Sequence, residues 1–141
     1  MILEYTTEAP ALEPYRANNH DAGLDLKASE YFDSFISTVE LLGTGVRVNI
    51  PQGYVGLLFA RSSLAGKHGV ALANGVGVID AGYTGEIKAA LVRLPGEDFT
   101  PIEYGERFCQ LVVLPLPCVG LQRVQALGET ERGDGGFGSS L

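Results

Sequence analysis

The sequence predicts an all-β domain, a sandwich or barrel of the jelly-roll type with one short helix. Few windows show a helical period. Short apolar or alternating runs recur instead, cut by Gly, Pro and Asn. Nineteen glycines in 141 residues suit tight turns and bulges between closely spaced strands. A hydrophobic content of 45% against 19% charged residues marks a chain that builds a core, and the length suits one domain.

The elements follow in order. "TGVRVNI" (44–50) alternates and ends at the turn "PQG", after which "YVGLLFA" (54–60) reads as the next strand. "SSLAGKHG" (62–69) is the helix, with Ser62 or Ser63 as its candidate cap. "GEIKAALVRL" (85–94) runs to a turn at "PGED", and "RFCQLVVLPLP" (107–117) is β-rich and closed by prolines. There is no internal repeat and no linker before the last ten residues. The expected division is a barrel domain over 1–131 and a flexible glycine-rich arm over 132–141.

Composition excludes several classes. No apolar run approaches the ~20 residues that cross a bilayer. The start "MILEYTTEAP" lacks the basic region of a targeting signal, so the expectation is a cytoplasmic chain with no membrane partner. A net charge of −7 opposes non-specific binding to nucleic acid, and no nucleic-acid partner is expected. Seven of the ten basic residues are nevertheless arginines, the type suited to bidentate phosphate contacts. Cys109 and Cys118 make no disulfide framework and are expected to be buried and reduced. With His20 and His68 as the histidines, neither a zinc site nor a Cys/His nucleophile pair is expected.

The tail "RGDGGFGSSL" carries G-x-G-x-x-G at 133–138, the spacing of a dinucleotide-binding loop. Too few residues follow it for the helix that would hold a pyrophosphate. An adhesion reading of "RGD" rests on a tripeptide alone. Phe137 gives the tail a purpose. A solvating tail has little use for an aromatic ring, whereas an arm that closes over a ligand has one.

Chemistry concentrates in "NGVGVIDAGYTGEIKAAL" (74–91). Asp80, between Ile79 and a glycine turn, is expected to be partly desolvated and held in place, as suits a general base. The alternative is a carboxylate that only shapes a turn. In "ARSSLAGK" (60–67), Arg61 with the Ser62 and Ser63 hydroxyls offers a small anion cradle at a helix start, or an ordinary capped helix. In "HDAGLDLKA" (20–28), two carboxylates flank a glycine.

Taken together, "AGLDL" (22–26), "RSSLAGK" (61–67), "NGVGVIDAGYTGEI" (74–87), "GERFCQLVV" (105–113) and "RGDGGFGSS" (132–140) resemble, in order and spacing, the five motifs of the trimeric dUTPases. The resemblance implies a jelly-roll-like distorted β-barrel, a homotrimer with sites shared between subunits, and Mg2+-assisted hydrolysis of dUTP to dUMP and pyrophosphate. It implies a role for each position. Asp80 would activate the attacking water, Tyr83 would lie under the deoxyribose, and Asn74 would read the uracil edge. Val78, Ile79 and Lys88 would contact substrate. Arg61, Ser62, Ser63 and Gln110 would meet the phosphates. Asp25 would support the metal indirectly, through water. Arg132, Phe137, Gly138 and Ser139 would belong to the closing arm.

Ser63 stands where glycine is usual in that family, Thr84 where arginine is frequent, and Cys109 where alanine is usual. The related dCTP deaminases carry a catalytic glutamate that would fall at position 90, where this chain has Ala90. A pure binding protein would need neither the Asn74, Asp80 and Tyr83 spacing nor the Arg61 cradle.

Overall fold

The computed structural model describes residues 1–138. The strands are β1 (Glu4–Thr7), β2 (Leu24–Lys27), β3 (Val39–Asn49), β4 (Tyr54–Ala60), β5 (Val70–Leu72), β6 (Gly77–Ile79), β7 (Glu86–Arg93) and β8 (Arg107–Pro115). A 3₁₀ turn spans Pro10–Leu12, and a helix, α1 (Ser63–His68), links β4 to β5. The strands form two four-stranded antiparallel sheets, ordered β1-β3-β7-β5 and β2-β8-β4-β6. The architecture is a jelly-roll-like sandwich, as the sequence predicts.

Alternation explains the packing. On β7, Ile87, Ala89 and Leu91 point inward while Lys88, Ala90 and Val92 take the other face and are at most half-buried. From the other sheet Leu26, Leu58, Phe108 and Leu111 meet them, and Ile50 and Ile102 complete one core. Burying a side chain of this size stabilises by about 1.5–3 kcal/mol, so the pattern favours one register and opposes a one-residue slip. Phe32, Phe35 and Phe99 pack edge-to-face, with centroids 5.1–5.7 Å apart, and tie the 28–38 and 94–106 connections together.

Two local readings need correction. Ser62 occupies the N-cap position of α1 but makes no capping bond, because its backbone is already helical (φ −55°, ψ −29°). Cys109 is buried, and desolvation pushes its thiol well above the ordinary range. Cys118 is exposed, because it lies past the end of β8. From Leu116 to Gly138 there is neither strand nor helix, and Val119, Leu121 and Leu127 stand in the open. Among the described residues no helix is long and apolar enough to cross a membrane.

Candidate active site

Residues 72–88 form a compact excursion from the sandwich: β5, a turn at Gly75, β6, a second turn at Ala81–Gly82, then β7. β6 pairs with β4 through Gly56–Ile79, Leu57–Val78 and Leu58–Gly77. That register buries Ile79 and leaves Val78 facing outward. Asp80 follows at the strand end, and its carbonyl accepts the Tyr83 amide at 3.2 Å to close the turn. A cleft of about 610 Å³ results, lined by Asn74, Val78, Ile79, Asp80, Tyr83 and Lys88, together with Leu41 and Arg47 from β3. All six sequence-predicted residues of this region therefore share one concavity.

The Tyr83 ring is seated tightly. A Cβ at Gly85 would lie 2.3 Å from the Tyr83 hydroxyl, so the ring can rest there only over glycine. The hydroxyl donates to the Glu86 carbonyl at 3.1 Å. Asp80 itself is exposed in the single chain, contrary to the desolvation expected of it. Among the described residues the glycine turn leaves the Asp80 side chain open to solvent.

The second group of predicted residues lies elsewhere. Arg107 Nη1 donates to Asp25 Oδ2 at 3.1 Å, and Arg61 Nε forms an ion pair with the same oxygen at 3.2 Å. The pairing follows from register, since β2 and β8 run antiparallel with Asp25 opposite Gln110. Two backbone bonds join Asp25 to Tyr15 (2.8 and 2.9 Å), whose ring lies 4.6 Å below the Arg107 guanidinium. Gln110 Nε2 donates to the Ala60 carbonyl at 3.2 Å, beside Arg61. A concavity of about 590 Å³ opens here, with Lys27, Arg61, Ser63, Lys67 and Arg107 on its walls. It shares no lining residue with the Asp80 cleft. The structure thus brings Arg61, Ser63 and Asp25 together and does not bring them to Asp80. Sequence reasoning passed over Arg107 although it stands inside "GERFCQ"; the strand register identifies it.

Magnesium has a limited place in this donor set. No group of three or more His, Cys, Asp or Glu side chains converges among the described residues. Asp25 carries two ion pairs on one oxygen, and its Oδ1 takes neither. A lone, already paired carboxylate suits contact through water with an ion that the phosphates carry, and such an ion fits here.

Behind the cationic concavity, α1 is pinned to β8. His68 is 2% exposed, with Nδ1 2.9 Å from the Thr100 carbonyl and Nε2 3.0 Å from Glu106 Oε1. Burial works against ionisation of Glu106, but the Lys67 ammonium, the Glu103 amide and the His68 ring outweigh it and hold the carboxyl below its ordinary range. A depressed carboxyl contributes stability that is complete above the unfolded-state value and is lost as pH falls through the folded-state value. Glu106→Gln is therefore expected to cost about 1–2 kcal/mol at neutral pH. The difference should shrink below the ordinary carboxylate range. Thermal melts of both proteins across pH 3–7 check this, and a gap that widens on acidification contradicts it.

In the tail, Arg132 Nε donates to the Gly135 carbonyl at 3.1 Å, and Phe137 is fully exposed with φ +50°. Gly138 ends the described chain, and Ser139 lies outside the described residues.

The sequence and the fold match known proteins. A family model for dUTPase matches residues 9–141. The chain is 42% identical over 141 residues to the deoxyuridine 5'-triphosphate nucleotidohydrolase of Corynebacterium glutamicum, covering 99% of this chain and 92% of that one. It is 39% identical over 139 residues to the enzyme of the same name from Cutibacterium acnes, covering 99% and 91%. Among solved structures, a dUTPase of Staphylococcus bacteriophage 80alpha with dUpNHpp superposes with a TM-score of 0.83 at 28% identity, covering 98% and 97%. A dUTPase of phage phi11 of S. aureus, described with a structural Mg(II) ion, gives 0.77 at 25% identity, covering 92% and 100%. This chain belongs to the dUTPase family. Its members are enzymes, the dUTP diphosphatases.

Proposed function

We propose that the chain hydrolyses dUTP to dUMP and pyrophosphate, with water prepared by Asp80 attacking the α-phosphorus. The observation that carries this reading is the single cleft in which Asn74, Asp80 and Tyr83 converge. Asn74 and the backbone near Val78 read the uracil edge, and Tyr83 lies beneath the sugar. Asp80, uncovered and adjacent, takes the proton of the incoming water. Lys88 adds positive charge at the same wall.

The triphosphate extends into a cradle of Arg61, Ser62, Ser63 and Gln110. Ser62 has its hydroxyl free of capping, so it is available to an anion. Asp25 holds Arg61 and Arg107 in position by the two ion pairs described above. Bound with the substrate, Mg2+ would offset phosphate charge and polarise the reacting phosphoryl group. Most of the acceleration then comes from positioning and charge stabilisation.

Because the cradle and the Asp80 cleft share no lining residue, a complete site is assembled from different subunits of a homotrimer. The apolar side chains left open at Leu41, Val78 and Leu114 are consistent with such an assembly. The arm of Arg132, Phe137, Gly138 and Ser139 then closes over a neighbour's substrate, its ring stacking on uracil and its arginine meeting phosphate. In a cell this reaction keeps uracil out of DNA and supplies dUMP for dTMP synthesis.

Pyrophosphate release measured with dUTP, dTTP, dCTP and UTP side by side tests the reading. Polar groups built for uracil are left unpaired by cytosine, so kcat/KM for dUTP should exceed that for dCTP by at least ~10³. Comparable values would remove Asn74 from its role.

A further inference from the structure

The Glu86 side chain has no part in the reading above, yet the residue's own backbone carbonyl holds the Tyr83 hydroxyl. The side chain is only 15% exposed and enters an irregularity in β3. Gly43 faces Lys88 and Arg47 faces Glu86, so four steps along β3 match two along β7 and two residues are extra. The bulge is shaped around the carboxylate. Glu86 Oε1 accepts the Gly45 amide at 3.0 Å. A Cβ on Gly43 would come within 2.4 Å of the same oxygen, so a larger residue would evict it. Gly45 has φ +66°, and a Cβ there would meet Leu12 at 2.5 Å. Thr44, fully buried, donates to the Ile87 carbonyl at 2.8 Å and accepts the Val46 amide at 3.2 Å. Across the bulge, Lys88 Nζ lies 3.5 Å from Glu86 Oε2.

Both sides of this plug reach the sugar end of the cleft. The Glu86 carbonyl holds the Tyr83 hydroxyl, and Arg47, at the far edge of the bulge, donates to the Thr84 carbonyl at 3.4 Å. The turn between Asp80 and Glu86 is thus anchored at two points, and both anchors depend on where the bulge sits against β7.

We propose that Glu86 is a positioning residue which, by plugging the β3 bulge, fixes the height of the Tyr83 ring and so sets discrimination against a 2′-hydroxyl on the substrate's sugar. The proposal rests on the dUTPase reading of the cleft. Its chemistry needs an acceptor of the right length at Gly45 and does not need a negative charge. Glutamine at position 86 keeps that acceptor. Alanine leaves the buried Gly45 amide unpaired and the bulge free to shift.

The test measures kcat and KM for dUTP and for UTP in wild type, Glu86→Gln and Glu86→Ala, with Glu86→Asp, whose carboxylate is one methylene too short, standing in if the alanine protein fails to fold. Glu86→Ala or Glu86→Asp is expected to narrow the dUTP-to-UTP ratio of kcat/KM about tenfold, because a small displacement of the ring opens the space it guards. Glu86→Gln should hold the ratio within about threefold of wild type. A residue that merely supports the fold would lower melting temperature and both activities together, so an unchanged ratio in the alanine or aspartate protein overturns the proposal. So does a glutamine protein as unselective as alanine. Wild type that fails to prefer dUTP over UTP overturns the reading of the cleft itself. That failure is recognised because it precedes any substitution.

Discussion

Asp80→Asn lowers kcat for dUTP by roughly 10²–10⁴, the span that follows loss of a positioned general base. The amide matches the carboxylate in shape and takes no proton. Binding of an unreactive dUTP analogue should survive, for two reasons visible in the structure. Among the described residues the Asp80 side chain bonds no other side chain, and the turn is closed by its backbone carbonyl. The cationic residues that would hold the phosphates line a separate concavity. Rapid-quench turnover and analogue titration, run on the same preparation, check both halves. Near-normal turnover would return Asp80 to the role of a turn residue.

Mixing two inactive proteins should restore activity. Arg61→Ala and Asp80→Asn each damage one of the two separate concavities. Arg61→Ala leaves Asp25 paired with Arg107 at 3.1 Å, so the fold around it should hold. If each site draws Asp80 from one subunit and Arg61 from another, a trimer reassorted at random has each residue intact half the time. About a quarter of the sites are then whole, and activity returns at about a quarter of wild type. A site built within one chain cannot recover, since every chain carries a lesion. Co-refolded samples that sediment as trimers but stay as inactive as their parents would rule out shared sites.

How much of this was readable in advance varies by element. The sequence predicts β4 at its true limits, Tyr54–Ala60, because a turn precedes it and the apolar run stops at Arg61. The sequence places β7 and β8 within two residues of their ends, since each keeps a strand pattern over eight or nine positions. The first five residues of β3, Val39–Gly43, escape the 44–50 reading because Gly43 looks like a breaker in sequence. Its reason is Glu86, more than forty positions away. β1, β5 and β6 are three or four residues long, too short to establish a period, and they exist because neighbouring strands pair with them.

The site divides similarly. Asn74, Asp80, Tyr83 and Lys88 are close in sequence, and the tight turns between β5, β6 and β7 keep them close in space, so a local motif suffices. Burial did not follow from neighbours. Asp80 lies beside buried Ile79 yet is exposed, because a turn reverses which way the chain faces. Arg107 and Arg47 became visible only through strand register.

The pairing of β2 with β8 has a temporal side. Asp25 and Arg107 are 82 residues apart, and most of the domain must be present before they can meet. β6 and β7, which carry the Asn74–Lys88 segment, pair with β4, β3 and β5, all made before β8, so this end can assemble once β7 has left the ribosome. The sheet beside the cationic concavity must wait for the last strand, at a higher loop-closure cost. A growing chain would therefore acquire its nucleoside end early and its phosphate end late. A nascent protein stalled before β8 would expose the inner faces of β2 and β4 to any passing hydrophobic surface, which makes that interval the moment when a chaperone matters most.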